Sequence, residues 1–171
     1  MFSIGDLIVY GETGVCRVED ITTRTDGAAR RRYYVLQPLY QDCMISAPAD
    51  SDKIFMRPVI SKGEADRLID RIPSVSAEAY YSRALRELTE HYEAAIRAHN
   101  CGELLRLTMS LHAKKCDAER QKRKFGAVDE RYMKRAEELL FGEFAAALGI
   151  PRDGVRDYIA RRVKRPAGGG A

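Results

Sequence analysis

Apolar and polar positions recur with two different periods along this 171-residue chain, and the change falls near residue 60. Before it come five short runs rich in β-branched and aromatic residues: DLIVY (6–10), VCRVEDIT (15–22), RYYVLQPL (32–39), CMISA (43–47) and IFMRPV (54–59). Such residues suit a pleated, half-buried surface, and alternation in the second run puts Cys16 and Val18 on one face and Arg17 and Glu19 on the other. Cys16 is then expected as a small buried hydrophobe. Turn chemistry separates the runs. Gly11 and Gly14 bracket one turn, Asp26-Gly27 signals a hairpin, and Pro48 and Pro58 stand near strand ends, where a missing N–H does least harm. The expectation over residues 1–60 is a small five-stranded barrel.

From Ser61 the period becomes helical. SKGE sets a serine three residues before a glutamate, the capping-box pattern, and Ala65, Leu68, Ile69 and Ile72 follow at helical spacing before Pro73 stops the helix. Residues 61–76 are thus a short helix and linker. Over 77–165 a helical bundle is expected. Tyr81, Leu85, Leu88, Tyr92, Ile96 and His99 stripe one long helix, which HNCG breaks. Leu104, Leu107 and Leu111 open another that runs into a basic block. Beyond Gly126, Tyr132, Ala136, Leu139, Leu140, Phe144 and Leu148 stripe a fourth, and Pro151 starts a last one from the favoured first position. The tail at 166–171, PAGGGA from Pro166, is expected to be disordered. The fold class is therefore α+β, a small β-barrel followed by an all-α bundle.

Charge changes the picture for the second half only. Residues 1–60 hold seven Lys/Arg against eight Asp/Glu, whereas HAKKCDAERQKRK (112–124) and RDGVRDYIARRVKR (152–165) each hold six basic residues against two acidic. Cys16, Cys43, Cys101 and Cys116 form no CxxC pair, so reduced thiols are favoured over a disulfide framework; a structural zinc site on these four is a remote alternative. No leader-like segment and no run of about 20 apolar residues is present, so a soluble cytoplasmic protein is expected. Phosphate-loop, nucleophile-elbow and HExxH patterns are absent from the sequence. His91, His99 and His112 fall on expected helices, His99 as a core or helix-end residue. The expectation is a binding protein, not an enzyme, with no cofactor and no metal.

FSIGDLIVYGETGVCRVEDI, followed by YYVLQPL, MISAP and MRPVIS, resembles the amino-terminal RNA polymerase interaction domain of the CarD/CdnL family, shared with the transcription-repair coupling factor. NCGEL, VDERYMKRAEELLFGEFAAALGI and VRDYI resemble the helical carboxy-terminal domain of CarD-like regulators. The resemblance implies a bacterial transcription factor whose Tudor/SH3-like barrel grips the polymerase β subunit by strand-edge pairing. Its helical domain would then meet promoter DNA at the upstream fork and stabilise the open complex, without reading sequence. The helicase motifs of the coupling factor are missing.

Carried onto this chain, the resemblance assigns polymerase contact to Thr23, Arg24 and Thr25, just after the second strand, and to Ile45 and Ser46. Ser46 stands where the family often has a basic residue, so an ion pair is lost there. Gly11-Glu12-Thr13-Gly14 replaces the usual Pro-x-His-Gly turn. The chain has no tryptophan, and alignment of YYSRALRE with the family's W-S-R pattern puts Tyr81 at its DNA wedge, with Arg83 and Arg86 behind it. Tyr81 also opens the apolar stripe, so core packing is the competing reading. Lys122, Arg123 and Lys124, together with Arg131, are the other DNA candidates; a solvated helix end is the alternative for the first three. A monomer is expected. The alternative function is a polymerase-bound adaptor whose helices recruit another protein without touching DNA.

Overall fold

The computed structural model describes residues 1–164; the expected disordered tail at 166–171 lies outside the described residues. They form two compact units that divide between Ile60 and Ser61.

In the first unit, β1 (Leu7–Tyr10), β2 (Gly14–Asp26), β3 (Ala29–Pro38), β4 (Ile45–Pro48) and β5 (Met56–Pro58) make one antiparallel sheet in the order β4-β3-β2-β1-β5. The sheet is open, since no ladder joins β4 to β5 among the described residues, and it is compatible with the expected small barrel. Both end strands are short, and each carries a proline that lacks the N–H a closing ladder needs. Ile8, Tyr10, Cys16, Val18, Tyr34, Leu36 and Ala47 form the core on one face. Burial, and then the nearby Cys43, push the Cys16 thiol up to about 11, so it packs as a neutral hydrophobe. The β1–β2 turn demands glycine at Gly11. Its φ is +48°, and an added Cβ would stand 2.8 Å from Ile54 Cγ2.

A bulge decides which way the second strand faces. Val18 pairs with Leu36, but Asp20, not Glu19, pairs with Val35. One extra residue resets the alternation. Ile21 therefore joins the core beside Tyr34, and Thr22 and Arg24 turn to the opposite face. Beyond the bulge β2 and β3 continue further than expected, as a hairpin arm from Thr23 to Arg32 that is exposed on both faces.

The second unit contains α1 (Lys62–Asp70), α2 (Leu85–Arg97), α3 (Cys101–Arg120), α4 (Ala127–Leu148) and α5 (Val155–Val163), with single 3-10 turns at Ile72–Ser74 and Arg152–Gly154. Local chemistry sets the ends. Ser61 Oγ accepts from the Glu64 N–H at 3.1 Å, Asn100 Oδ1 accepts from Glu103 at 3.1 Å, and Gly149 closes α4 at φ +67°. Leu88, Tyr92 and Ile96 of α2 lie buried, as do Leu104, Leu107 and Leu111 of α3 and Tyr132, Ala136, Leu140 and Phe144 of α4. Each such leucine, isoleucine or phenylalanine contributes about 1.5–3 kcal/mol relative to exposure.

The long helix is shorter at both ends than its stripe implied. Ser82 Oγ accepts from the Ala84 N–H at 3.2 Å and donates to Glu87 at 3.0 Å, a local hydrogen-bond set that competes with helix and delays its start to Leu85. At the other end His99 takes φ +50°, past the helix. Tyr81 is thereby outside α2 and 59 % exposed, which overturns its reading as core.

Candidate functional site

The arm of the first unit concentrates its positive charge. Arg24, Arg30, Arg31 and Arg32 are four of the seven Lys/Arg in residues 1–60, and all four are exposed. Ladder register sets Arg24 opposite Arg31, Thr23 opposite Arg32 and Thr25 opposite Arg30. Like charges face each other across the strands, and no carboxylate pairs with any of the four among the described residues. Arg24 lies over the Tyr33 ring, 5.1 Å from its centroid, which holds the guanidinium without neutralising it.

The register also relates the two predicted contact segments. Arg24, Tyr33, Val35 and Ser46 share the face opposite the core, because Val35 pairs with both Asp20 and Ser46. Arg24 does not follow the second strand, as expected, but belongs to it. Thr23 and Thr25 take the other face of the arm. Ile45 is half-buried against the core, so β4 offers Ser46 and its backbone edge rather than the Ile45 side chain. β4 is an end strand, the position from which a ladder can be extended. Arg30 to Arg32 were missed, although three successive arginines after Asp26-Gly27 are a plain signal of a charged hairpin.

In the second unit the predicted DNA residues separate. Tyr81, Arg123 and Lys124 converge on a pocket of about 210 Å³, together with Lys114, Ala118, Gln121, Phe125, Gly126 and Asp129. Arg83, Arg86 and Arg131 do not line it. Arg86 pairs with Glu90 at 3.1 Å, Arg131 lies over the Tyr132 ring, and Arg83 is exposed ahead of α2. Lys122, Arg123 and Lys124 are not a helix end, because α3 stops at Arg120. Lys122 sits at φ +54°, and the Arg123 N–H donates to Ala118 O at 2.8 Å, folding the chain back along α3. That reversal carries Arg123 and Lys124 to Tyr81.

Buried polar groups hold the pocket's shape. Asp129 Oδ1 accepts from the Tyr92 hydroxyl at 2.5 Å and from Lys114 Nζ at 3.0 Å. Lys114 also stands 4.9 Å from the Tyr81 ring centroid, and the Tyr81 hydroxyl donates to Asp117 at 3.0 Å. Burial, and then the bonds to Asp129 and Asp117 respectively, raise the pKa of Tyr92 and of Tyr81, so both phenols stay neutral. Asp117 and Asp129 escaped the sequence reading. A single acid in a helix carries no spacing signal.

A small open sheet with a charged arm and an available edge has the make-up of a binding module. Residues 2–60 match the family model of the CarD-like/TRCF RID domain. The match supports an RNA polymerase interaction domain in the N-terminal unit, and with it an RNA polymerase-interacting role. That family is non-enzymatic in general. The match ends at residue 60. No helix among the described residues is long and apolar enough to cross a membrane, and they contain no metal-binding cluster.

Proposed function

We propose that this chain is a transcription factor that docks on the polymerase β subunit through its first unit and stabilises the promoter open complex through its second. Residues 1–60 would be the docking domain, 61–76 a short helix and linker, and 77–165 the DNA-facing domain. At the docking surface Arg24 would meet an acidic side chain, flanked by Thr23 and Thr25, while β4 at Ile45 and Ser46 would extend the ladder. The observation that carries the reading is the meeting of an exposed aromatic ring, Tyr81, with Lys114, Arg123 and Lys124 at one pocket. Cations supply sequence-independent phosphate affinity, and the ring supplies a surface for an opened base step. Arg83, Arg86, Lys122 and Arg131 would add phosphate contacts around it. Specificity would come from the polymerase that delivers the protein and from DNA deformability. The factor would act as a cytoplasmic monomer.

The decisive experiment measures open-complex lifetime with the parent, Tyr81→Ala, and Lys122, Arg123 and Lys124 all changed to Gln. Tyr81→Ala is expected to shorten the lifetime without lowering the melting temperature, because its ring is exposed. The triple variant is expected to lower the salt dependence of DNA binding by up to about 2.7 in the log–log slope, roughly 0.9 per phosphate contact. A parent protein that binds polymerase but shows no DNA-dependent effect would replace this reading with that of an adaptor.

A further inference from the structure

A different pocket lies between α2 and α3, on residues that neither the polymerase nor the DNA reading uses. Ala94 and Ala95 of α2 and its cap residue Ala98 border it together with Glu103, Arg106 and Leu107 of α3. Residues 76–80, which form neither helix nor strand, cross its third side. Two contacts pin that strap: Ser110 Oγ donates to Glu78 O at 2.7 Å, and the Tyr80 ring stacks on His91 at 3.7 Å between centroids. Alanine leaves open the space that larger side chains would fill. The volume is about 470 Å³, inside the roughly 300–1,000 Å³ range of small-molecule sites.

The pocket has a charged end and an aromatic end. Glu103 and Arg106 stand three residues apart, the spacing at which opposite charges on one helix face ordinarily pair. No ion pair joins them, and neither side chain pairs elsewhere among the described residues. The Glu103 N–H is taken by the Asn100 cap, which leaves the carboxylate free. Glu78 adds a second carboxylate to the lining, so two acids stand against one guanidinium. Such a lining repels a phosphate chain and suits a ligand that brings an ammonium along with its carboxylate. Ser110 lies two turns of α3 beyond Glu103, about 10 Å along the axis, and there Tyr80 and His91 close the far end. Partial burial, and then the charge of Lys114, lower the pKa of His91, so that wall is uncharged at neutral pH.

We propose that this pocket binds a free α-amino acid with a large apolar side chain, its ammonium on Glu103, its carboxylate on Arg106 and its side chain over the alanines toward Tyr80. A guanidinium matches a carboxylate with two parallel hydrogen bonds, and Glu103 accepts from the ammonium beside it. The site goes beyond the DNA-facing reading and does not depend on it, since neither Tyr81 nor any proposed DNA cation lines it.

NMR titration of the full chain with L-phenylalanine tests the proposal, with 3-phenylpropionate and 2-phenylethylamine as probes that lack the ammonium and the carboxylate. Each analogue is expected to bind about tenfold more weakly than the amino acid, the scale of one lost charge-assisted bond. Glycine should also bind more weakly, for want of a side chain to lie on the alanines. Glu103→Gln keeps a residue suited to the third helical position. It should cost L-phenylalanine about tenfold and leave 3-phenylpropionate at its parental affinity; Arg106→Gln should do the same with 2-phenylethylamine spared. Melts check that both variants fold, and the analogue series decides by itself if one does not. No measurable binding of L-phenylalanine to the parent, parental affinity in both folded variants, or an analogue or glycine bound as tightly as L-phenylalanine would each overturn the assignment.

Discussion

In the sheet unit Arg24 faces Arg31 across a ladder with no carboxylate to pair them among the described residues, whereas in the helical unit the half-buried Lys114 meets the buried Asp129 at 3.0 Å. The same contrast recurs elsewhere. Glu137 of α4 binds both His112 and Arg156, and Arg162 of α5 binds Asp70 of α1 at 2.6 Å, next to Tyr158 on Asp66. The sheet core, by contrast, is apolar apart from the phenols of Tyr10 and Tyr34 and the thiol of Cys16. A hairpin arm is held by its backbone ladder whatever its side chains carry, so it can present uncompensated charge at little cost to the fold. Helices have satisfied their backbones internally and rely on side chains to fix their mutual arrangement. Paired charges in that packing specify one arrangement of the aromatics around the pocket. Unpaired charge on the arm is therefore available to a partner, and paired charge inside the helical packing acts as a scaffold.

The largest test of that contrast is Asp129→Ala, which leaves Lys114 and the Tyr92 hydroxyl without their acceptor. Breaking a buried pair from one side costs about 3–5 kcal/mol. Thermal or urea melts followed on the full chain should show the loss, and a variant as stable as the parent would deny Asp129 its scaffold role.

Glu137→Gln is a milder version with a pH signature. Burial pushes the Glu137 carboxyl up, but the hydrogen bond from His112 and the charges of Arg156, His112 and Lys115 outweigh it, so its pKa lies below the ordinary 4.5. A lowered carboxylate stabilises the fold fully above its unfolded value and loses that contribution as the pH falls through the folded value. At neutral pH the variant should be less stable by about 1–2 kcal/mol, the low end for charged hydrogen bonds because Arg156 and His112 reach solvent. Below pH 4.5 the two proteins should converge. A gap that stays constant across the acid range would remove the charge from the explanation.

On the sheet side, Arg24→Glu should weaken binding to the polymerase β lobe about tenfold, or 1.4 kcal/mol. Its melt should stay parental, since the side chain enters no core. Equal capture of the lobe by folded Arg24→Glu protein would take the docking role from this face.

The smallest effect has the opposite sign. Arg31→Thr removes one of two facing guanidiniums and puts a β-branched residue in the ladder, so the sheet should gain about 0.2–1 kcal/mol. An arginine whose removal destabilises the sheet would mean that the arm's charge is structural after all, and the contrast between the units would fail.

The two-unit layout was legible in the order of residues because each signal was local. Period-two runs, Asp26-Gly27 and the Ser61–Glu64 capping box act within a few positions of themselves, and the strands and α1 stand where they point, whereas α2 starts later than its stripe and the last helix starts at Val155, beyond the expected Pro151 and a 3-10 turn. Arg24 was legible too, though only as a position; its face was not. One unpaired residue between Val18 and Asp20 reverses every side chain that follows, and composition carries no mark of it.

Tyr81 shows the same limit in the helical unit. Its spacing from Leu85 and Leu88 was helical, but Ser82 bonds to Ala84 and Glu87 and the helix starts later, so the ring stands in solvent instead of in the core. The basic block looked like one continuous stretch of charge. The fold divides it, with Lys114 half-buried in a pair with Asp129, Arg120 on Asp117, and Arg123 and Lys124 turned back to Tyr81 by a left-handed Lys122. Sequence alone determined the elements, their order and the apolar faces that close each core, because those follow from backbone geometry and local hydrogen bonding. Which charges are spent on the fold, and which remain for a partner, was decided only when residues 33 to 48 positions apart met around one pocket, because pairing depends on distances that the order of residues does not contain.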